Sequence, residues 1–372
     1  MYVNSLEVQV LESALENLTV NDGEYVLILV ADSELERVDE MLMYFRENSI
    51  ECFGGLFPAV IYNNESYDRG AVVSVVSLVH PPAIIKGINE PEVGITELFS
   101  NVSTKEAQTA LLFVDGLTPH VAEFLKSLFN KVGRSLSYIG GGAGSLSLQQ
   151  KPCLFTNEGI YQDAALIALR KEKTQLGVAH GWQAIQGPYV ATRTERNRII
   201  ELNWEAAFPV YQQVIEQETE REITRENFFE IAKAYPFGLM KDATEDVVRD
   251  PIKVNDEGDL VCVGEIPENT VLEILKGDPK SLIEAAKQAS IQAISSIENV
   301  KHSPLVIDCI SRVLFLGEDF KQELGTIHET LCSKRSNQLP VIGALTMGEI
   351  SSYGDGYLEF FNKTTVVGVF HE

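Results

Sequence analysis

The sequence predicts a mixed α/β fold: repeated strand–helix–strand units forming mixed sheets, arranged as two closely associated domains. Three observations lead there. Three segments share one order, an apolar strand, an amphipathic helix and a second strand that closes on glycines. A β-rich run follows each glycine cluster. The ends of the chain also match: ECFGGLFPAVI from Glu51 lies over PVIGALTMGEI from Pro340, pairing Gly54 with Gly343 and Val60 with Glu349. An old duplication explains the match, with the charged residue kept only in the C-terminal copy. The 372 residues suit two domains, read as 1–204 and 205–372.

The first unit opens on the apolar strand Tyr25–Val30. A helix follows with Leu35, Val38, Met41, Leu42 and Phe45 on one stripe. The second runs Thr109–Val114, then a helix facing inward through Val121, Phe124, Leu125, Leu128 and Phe129, then a strand into Gly140–Gly144. The third runs Pro304–Cys309, a helix with Phe320, Leu324, Ile327 and Leu331, and a strand reaching Gly343–Ala344. Such units pair their two strands in parallel. The later runs Gly70–Val79, Ala164–Arg170 and Tyr357–Phe370 add antiparallel strands. Between the second and third units, Val190–Trp204 reads as a hairpin turning near Arg196–Asn197. Ala207–Gln217 and Glu226–Ala234 read as helices, Leu260–Val263 as a strand, and Lys280–Glu298 as a long helix. Pro81–Glu106 reads as a long connector.

Net charge is −24. That field repels phosphate backbones and anionic lipid, so neither nucleic acid nor a membrane surface is an expected partner. The N-terminus lacks a basic segment and an apolar signal core. The longest apolar run, Ala71–Val79, is too short to span a bilayer. The five cysteines are scattered and form no C-x-x-C, which argues against a zinc site or a disulfide framework. A cytoplasmic protein with reduced thiols is expected.

The chemistry concentrates at two strand ends, Asp308-Cys309-Ile310-Ser311-Arg312 and Gly343-Ala344-Leu345-Thr346-Met347-Gly348-Glu349. If they lie side by side, Arg312 can grip a ligand carboxylate and Glu349 can accept from its amine. Gly343 and Gly348 leave room, and Gly141 and Gly142 close the cleft from the other domain. The competing readings are a surface or inter-domain ion pair for Arg312 and an exposed loop acid for Glu349. The Gly140–Gly144 run reads as a tight turn with close backbone approach; it lacks the Lys-Ser/Thr of a phosphate loop. Cys309 is either an apolar filler or, in a thiol-dependent hydrolase, a nucleophile. No histidine spacing fits a metal site. His180 beside Trp182 is either a satisfied polar residue or a haem axial ligand.

The chain resembles the FIST family of sensory proteins. The marks are GGGAG at Gly140–Gly144, FTNEG at Phe155–Gly159, YQDAALIALR from Tyr161 and VAHGW around His180. YPFGL at Tyr235–Leu239, CISR at Cys309–Arg312, MGEI at Met347–Ile350 and FFNKT at Phe361–Thr365 continue the series. The resemblance implies a FIST N-like and a FIST C-like domain. It implies a non-enzymatic module that binds a small molecule such as an amino acid. Some relatives are assigned haem binding and nitric oxide sensing. Without an output domain, the signal is expected to pass to a separate histidine kinase or chemoreceptor. No cofactor is expected outside the haem alternative.

Overall fold

A computed structural model of the chain describes residues 1–16, 18–90, 104–241, 246–297, 300, 302–333, 339–353 and 357–372. The connector read at Pro81–Glu106 contributes a strand, Ala83–Lys86; 91–103 lie outside the described residues, as does the C-terminal end read for the long helix.

Each of the three units builds a six-stranded sheet with the same plan. Two parallel strands lie at the centre: Glu24–Ala31 with Cys52–Phe57, Thr109–Asp115 with Ser137–Ala143, and Leu305–Cys309 with Ile342–Thr346. A return strand runs antiparallel to the first of each pair, Ala71–Ser77, Ala164–Arg170 and Thr365–His371. The crossover helices bury the stripes read from the sequence. Val38–Glu47 turns in Val38, Met41, Leu42 and Phe45. Val121–Val132 turns in Val121, Phe124, Leu125 and Leu128, and Phe320–Ser333 turns in Phe320, Leu324, Ile327 and Leu331.

The hairpin after each glycine strand leaves its own sheet. Ala59–Tyr62 and Glu65–Tyr67 join the third sheet beside Ile342–Thr346. Leu154–Thr156 and Gly159–Tyr161 join the first beside Cys52–Phe57. Glu349–Tyr353 and Tyr357–Phe361 join the second beside Ser137–Ala143. The units are thus linked in a cycle of three by exchanged hairpins. The third sheet also takes Lys173–Ala179 at its edge.

The glycines owe their place to this packing. Gly54, Gly140 and Gly343 occupy matching registers, opposite Ile28, Leu112 and Val306. A Cβ there would stand 1.8, 1.8 and 2.0 Å from the carbonyl oxygen of that partner. Three units therefore carry the repeat, where sequence matching showed only the first and third.

The segment between the second and third units forms its own body. Strands Gln183–Glu195, Val271–Lys276, Phe237–Leu239, Val247–Val254, Leu260–Val263 and Arg198–Leu202 pair in that order, and the last pairs with the first. They close an antiparallel barrel, which leaves no free edge. Helix Ala207–Thr219 packs Tyr211 against Phe228 and Phe237. Helix Pro279–Ile294, capped by Asp278 through the Ser281 N–H, returns the chain to the third unit.

Candidate ligand cleft

Arg312 and Glu349 do not face a shared hollow. Both are 0 % exposed, and neither lines the cleft described below. Arg312 lies on the short helix Ile310–Leu316 and runs inward. Its Nε donates to Glu323 Oε1 at 3.0 Å and its Nη2 to Glu323 Oε2. Nη1 donates to the carbonyls of His180 and Lys363, and Nη2 also to that of Leu282. A guanidinium has five N–H donors, and all are taken, so none is left for a ligand carboxylate. An ion pair is observed, but with Glu323 of the same unit and fully buried, so it is neither at the surface nor between domains; the hydrogen bond to the Leu282 carbonyl is what ties the third unit to the start of the long helix.

Glu349 starts a strand instead of sitting in an exposed turn. It accepts from Thr346 Oγ1 at 3.0 Å and from the Thr364 N–H at 3.2 Å. Burial, reinforced by Asp308, raises its pKa well above the carboxylate range. Gly141, Gly142 and Gly348 meet through backbone: the Gly142 N–H donates to Gly348 O at 2.8 Å, and a Cβ on Gly141 would lie 2.8 Å from that oxygen. Gly140–Gly142 therefore continue a strand, and only Gly144 of the run has positive φ. Together with Gly343, these glycines are filled by neighbouring strands, which removes the ligand space read for them.

His180 is buried, with Nδ1 accepting from the Trp182 N–H at 2.9 Å. Burial and then the Arg312 charge pull its pKa down to about 3, so the ring is neutral at pH 7. Cys309 lies at the cleft floor. Burial and the Glu349 charge raise its thiol pKa well above the ordinary value, the opposite of what an activated nucleophile needs.

The cleft has a volume of about 900 Å³ and lies where three bodies meet. The second unit supplies Gly116–Ala122, the barrel supplies Asp250, Ile252 and Cys262–Glu265, and the third unit supplies Cys309–Ser311, Leu314, Met347, Phe360 and Asn362. Its walls are mostly apolar. Leu146, Leu148, Phe229 and Leu314 line it and remain exposed; clustered exposed apolar side chains mark binding surfaces.

Polar groups interrupt that surface, and two of them stand apart. Among the described residues, Asp250 Oδ1 and Asn362 Oδ1 are buried acceptors with no hydrogen-bond partner. The other Asp250 oxygen lies 3.1 Å from Lys363 Nζ, which also donates to Lys233 O at 2.9 Å. Burial raises the Asp250 pKa, while Lys363 and, less strongly, the Ser311 side chain act against that rise. The surrounding cluster pits Arg312 and Lys363 against Asp250, Asp308, Glu323 and Glu349, an excess of acid. Burial drives the upward shift of Asp250, Asp308 and Glu349 alike, and a neighbouring carboxylate adds to it for the last two, Glu323 beside Asp308 and Asp308 beside Glu349.

The sequence reading missed Asp250 and Asn362. Asn362 lies in FFNKT, a run noted for its resemblance but given no role, and Asp250 is an acid within the otherwise buried strand segment Val247–Pro251. At the cleft mouth, His120, Glu123 and Glu265 bring one ligand atom each within 4.8 Å of one another. Spacing did not reveal that group because Glu265 arrives from the barrel.

Residues 26–205 match the model of the FIST N domain, and residues 207–352 match that of the FIST C domain. Comparison with curated proteins gave no match. Among the described residues, no helix is long and apolar enough to cross a membrane.

Proposed function

We propose a ligand-sensing role for this chain, which belongs to the FIST family of sensory signal-transduction domains. The ligand is an amino-acid-like small molecule with an apolar body, held by its amine in the cleft between the barrel and the second and third units. One observation carries this reading: two buried acceptors, Asp250 Oδ1 and Asn362 Oδ1, lack partners among the described residues and stand on the wall of an apolar cleft. A buried acceptor left unpaired costs roughly 1–3 kcal/mol, and an ammonium group brings three donors to remove that cost. The apolar part then rests on Ile310, Leu314, Met347 and Phe360, and a carboxylate points toward Arg196 and Lys253 at the exposed side.

A ligand touching three bodies binds best when they are closed around it. It moves their equilibrium by its differential affinity for that arrangement. Arg312 belongs to this scheme as a positioning residue, fixing the helix start that carries Ile310 and Ser311. The output passes to a separate signalling protein such as a histidine kinase or chemoreceptor, and the −24 net charge favours a basic docking face on it.

A thermal-shift screen against amino acids and related amines tests the reading. A ligand at about a hundred times its Kd adds about 2.7 kcal/mol, a rise of several degrees in Tm. The shift should vanish with the N-acetylated form of the hit and in Asp250→Asn. Asn362→Leu, which leaves the Lys363–Asp250 pair intact, should weaken it. A hit unaffected by acetylation and by both substitutions sinks the proposal.

A further inference from the structure

A second cavity of about 160 Å³ lies where the three sheets converge. Each unit contributes to it: Leu27, Ser74 and Val76 from the first, Leu111 and Arg170 from the second, Leu305 and Phe370 from the third. The leucines are one repeated position, immediately before Ile28, Leu112 and Val306, the partners of the matched glycines. On the return strands those partners face Val73, Ile167 and Val367. Three residues further along stand Val76, Arg170 and Phe370. One position of the repeat therefore holds two apolar side chains and a single guanidinium.

Packing alone gives no reason for that substitution. Arg170 is buried, and among the described residues its Nη2 has no hydrogen-bond partner. Its Nε donates to Glu172 Oε2 at 3.1 Å, Glu172 Oε1 lies 3.3 Å from His302 Nε2, and the guanidinium carbon stands 4.0 Å from the centre of the Phe370 ring. The group is thus oriented by a carboxylate on one edge and an aromatic face, with a donor edge left over beside a cavity.

We infer that this cavity is a second binding site, for a short-chain carboxylate whose oxygens take the open donor edge of Arg170 and whose alkyl tail packs on the three leucines. A guanidinium presents a planar fork that suits a carboxylate. Ser74, His302 and Ser303 make part of the wall polar, while Leu27, Leu111, Leu305 and Phe370 offer a hydrocarbon tail a contact that a tetrahedral oxyanion cannot use. The site is separate from the cleft and independent of its ligand.

Calorimetric titration of the full chain with butyrate, acetate and inorganic phosphate at fixed ionic strength tests this. Butyrate should bind saturably with the highest affinity and raise Tm. Binding should be lost in Arg170→Met and in Ser74→Leu, which fills the cavity while leaving the guanidinium in place. It should persist in Asp250→Asn, which separates this site from the amine cleft. Absence of saturable butyrate binding to the wild-type chain overturns the inference. So does butyrate affinity unchanged in Ser74→Leu, whatever the fate of Arg170→Met.

Discussion

Arg312 meets a protein acceptor with each of its five N–H donors, and two of those contacts are to the buried carboxylate of Glu323. Breaking such a pair from one side leaves an uncompensated buried charge, a loss of about 3–5 kcal/mol. Arg312→Ala should therefore lower the urea midpoint strongly, and any loss of ligand should follow from the damaged fold. Wild-type stability in Arg312→Ala, with only ligand affinity lost, would restore the direct role read from the sequence. That a guanidinium follows this strand is plain in the primary structure. What it faces is not, because Glu323 lies eleven residues on and the three carbonyls come from distant segments. Asp250 was harder still to find, since an acid matters here only because a barrel strand carries it to the floor of a cleft formed with two other bodies.

At the scale of elements, periodicity made the helices legible. The inward stripes of Val38–Glu47, Val121–Val132 and Phe320–Ser333 follow from spacing alone, because an amphipathic helix has to bury one face. Glycine-bearing strands gave a weaker signal. A glycine needed for positive φ and one needed because another strand crowds it look identical in sequence. Gly343 and Gly325 separate these cases. A Cβ on Gly343 would sit 2.0 Å from the Val306 carbonyl oxygen, forcing two central parallel strands apart. Overpacking of that kind costs about 1–3 kcal/mol or more. Gly325 lies within helix Phe320–Ser333 with nothing inside 4 Å of the corresponding position, so alanine there should gain about 0.5–1 kcal/mol through helix propensity. Urea melts of Gly343→Ala and Gly325→Ala should move in opposite directions. An unchanged midpoint for Gly343→Ala would mean the strands have slack that the register denies.

The whole molecule is held together by exchange. The sequence suggested a division at 204/205, and the two family matches meet at almost the same point. Across that point, however, the third sheet takes Ala59–Tyr62, Glu65–Tyr67 and Lys173–Ala179 from the first part, and the second sheet takes Glu349–Tyr353 and Tyr357–Phe361 from the second part. The barrel is split as well, with Gln183–Glu195 and Arg198–Leu202 on one side and four of its strands on the other. None of this shows in local pattern, because a hairpin's periodicity is the same whichever sheet receives it. Separated at 204/205, residues 205–372 would keep only three strands of the third sheet, and residues 1–204 would expose the edge of Ser137–Ala143 where Glu349–Ser351 pairs. Bare edges of that kind invite aggregation. Each fragment expressed alone should therefore be insoluble or lack cooperative unfolding, while co-expression should give a complex with the far-ultraviolet dichroism of the intact chain. A stable, cooperatively melting fragment 1–204 would show that the exchanged hairpins are decoration. Complementation would show that the exchanged strands, and not the peptide link at 204/205, hold the two parts together.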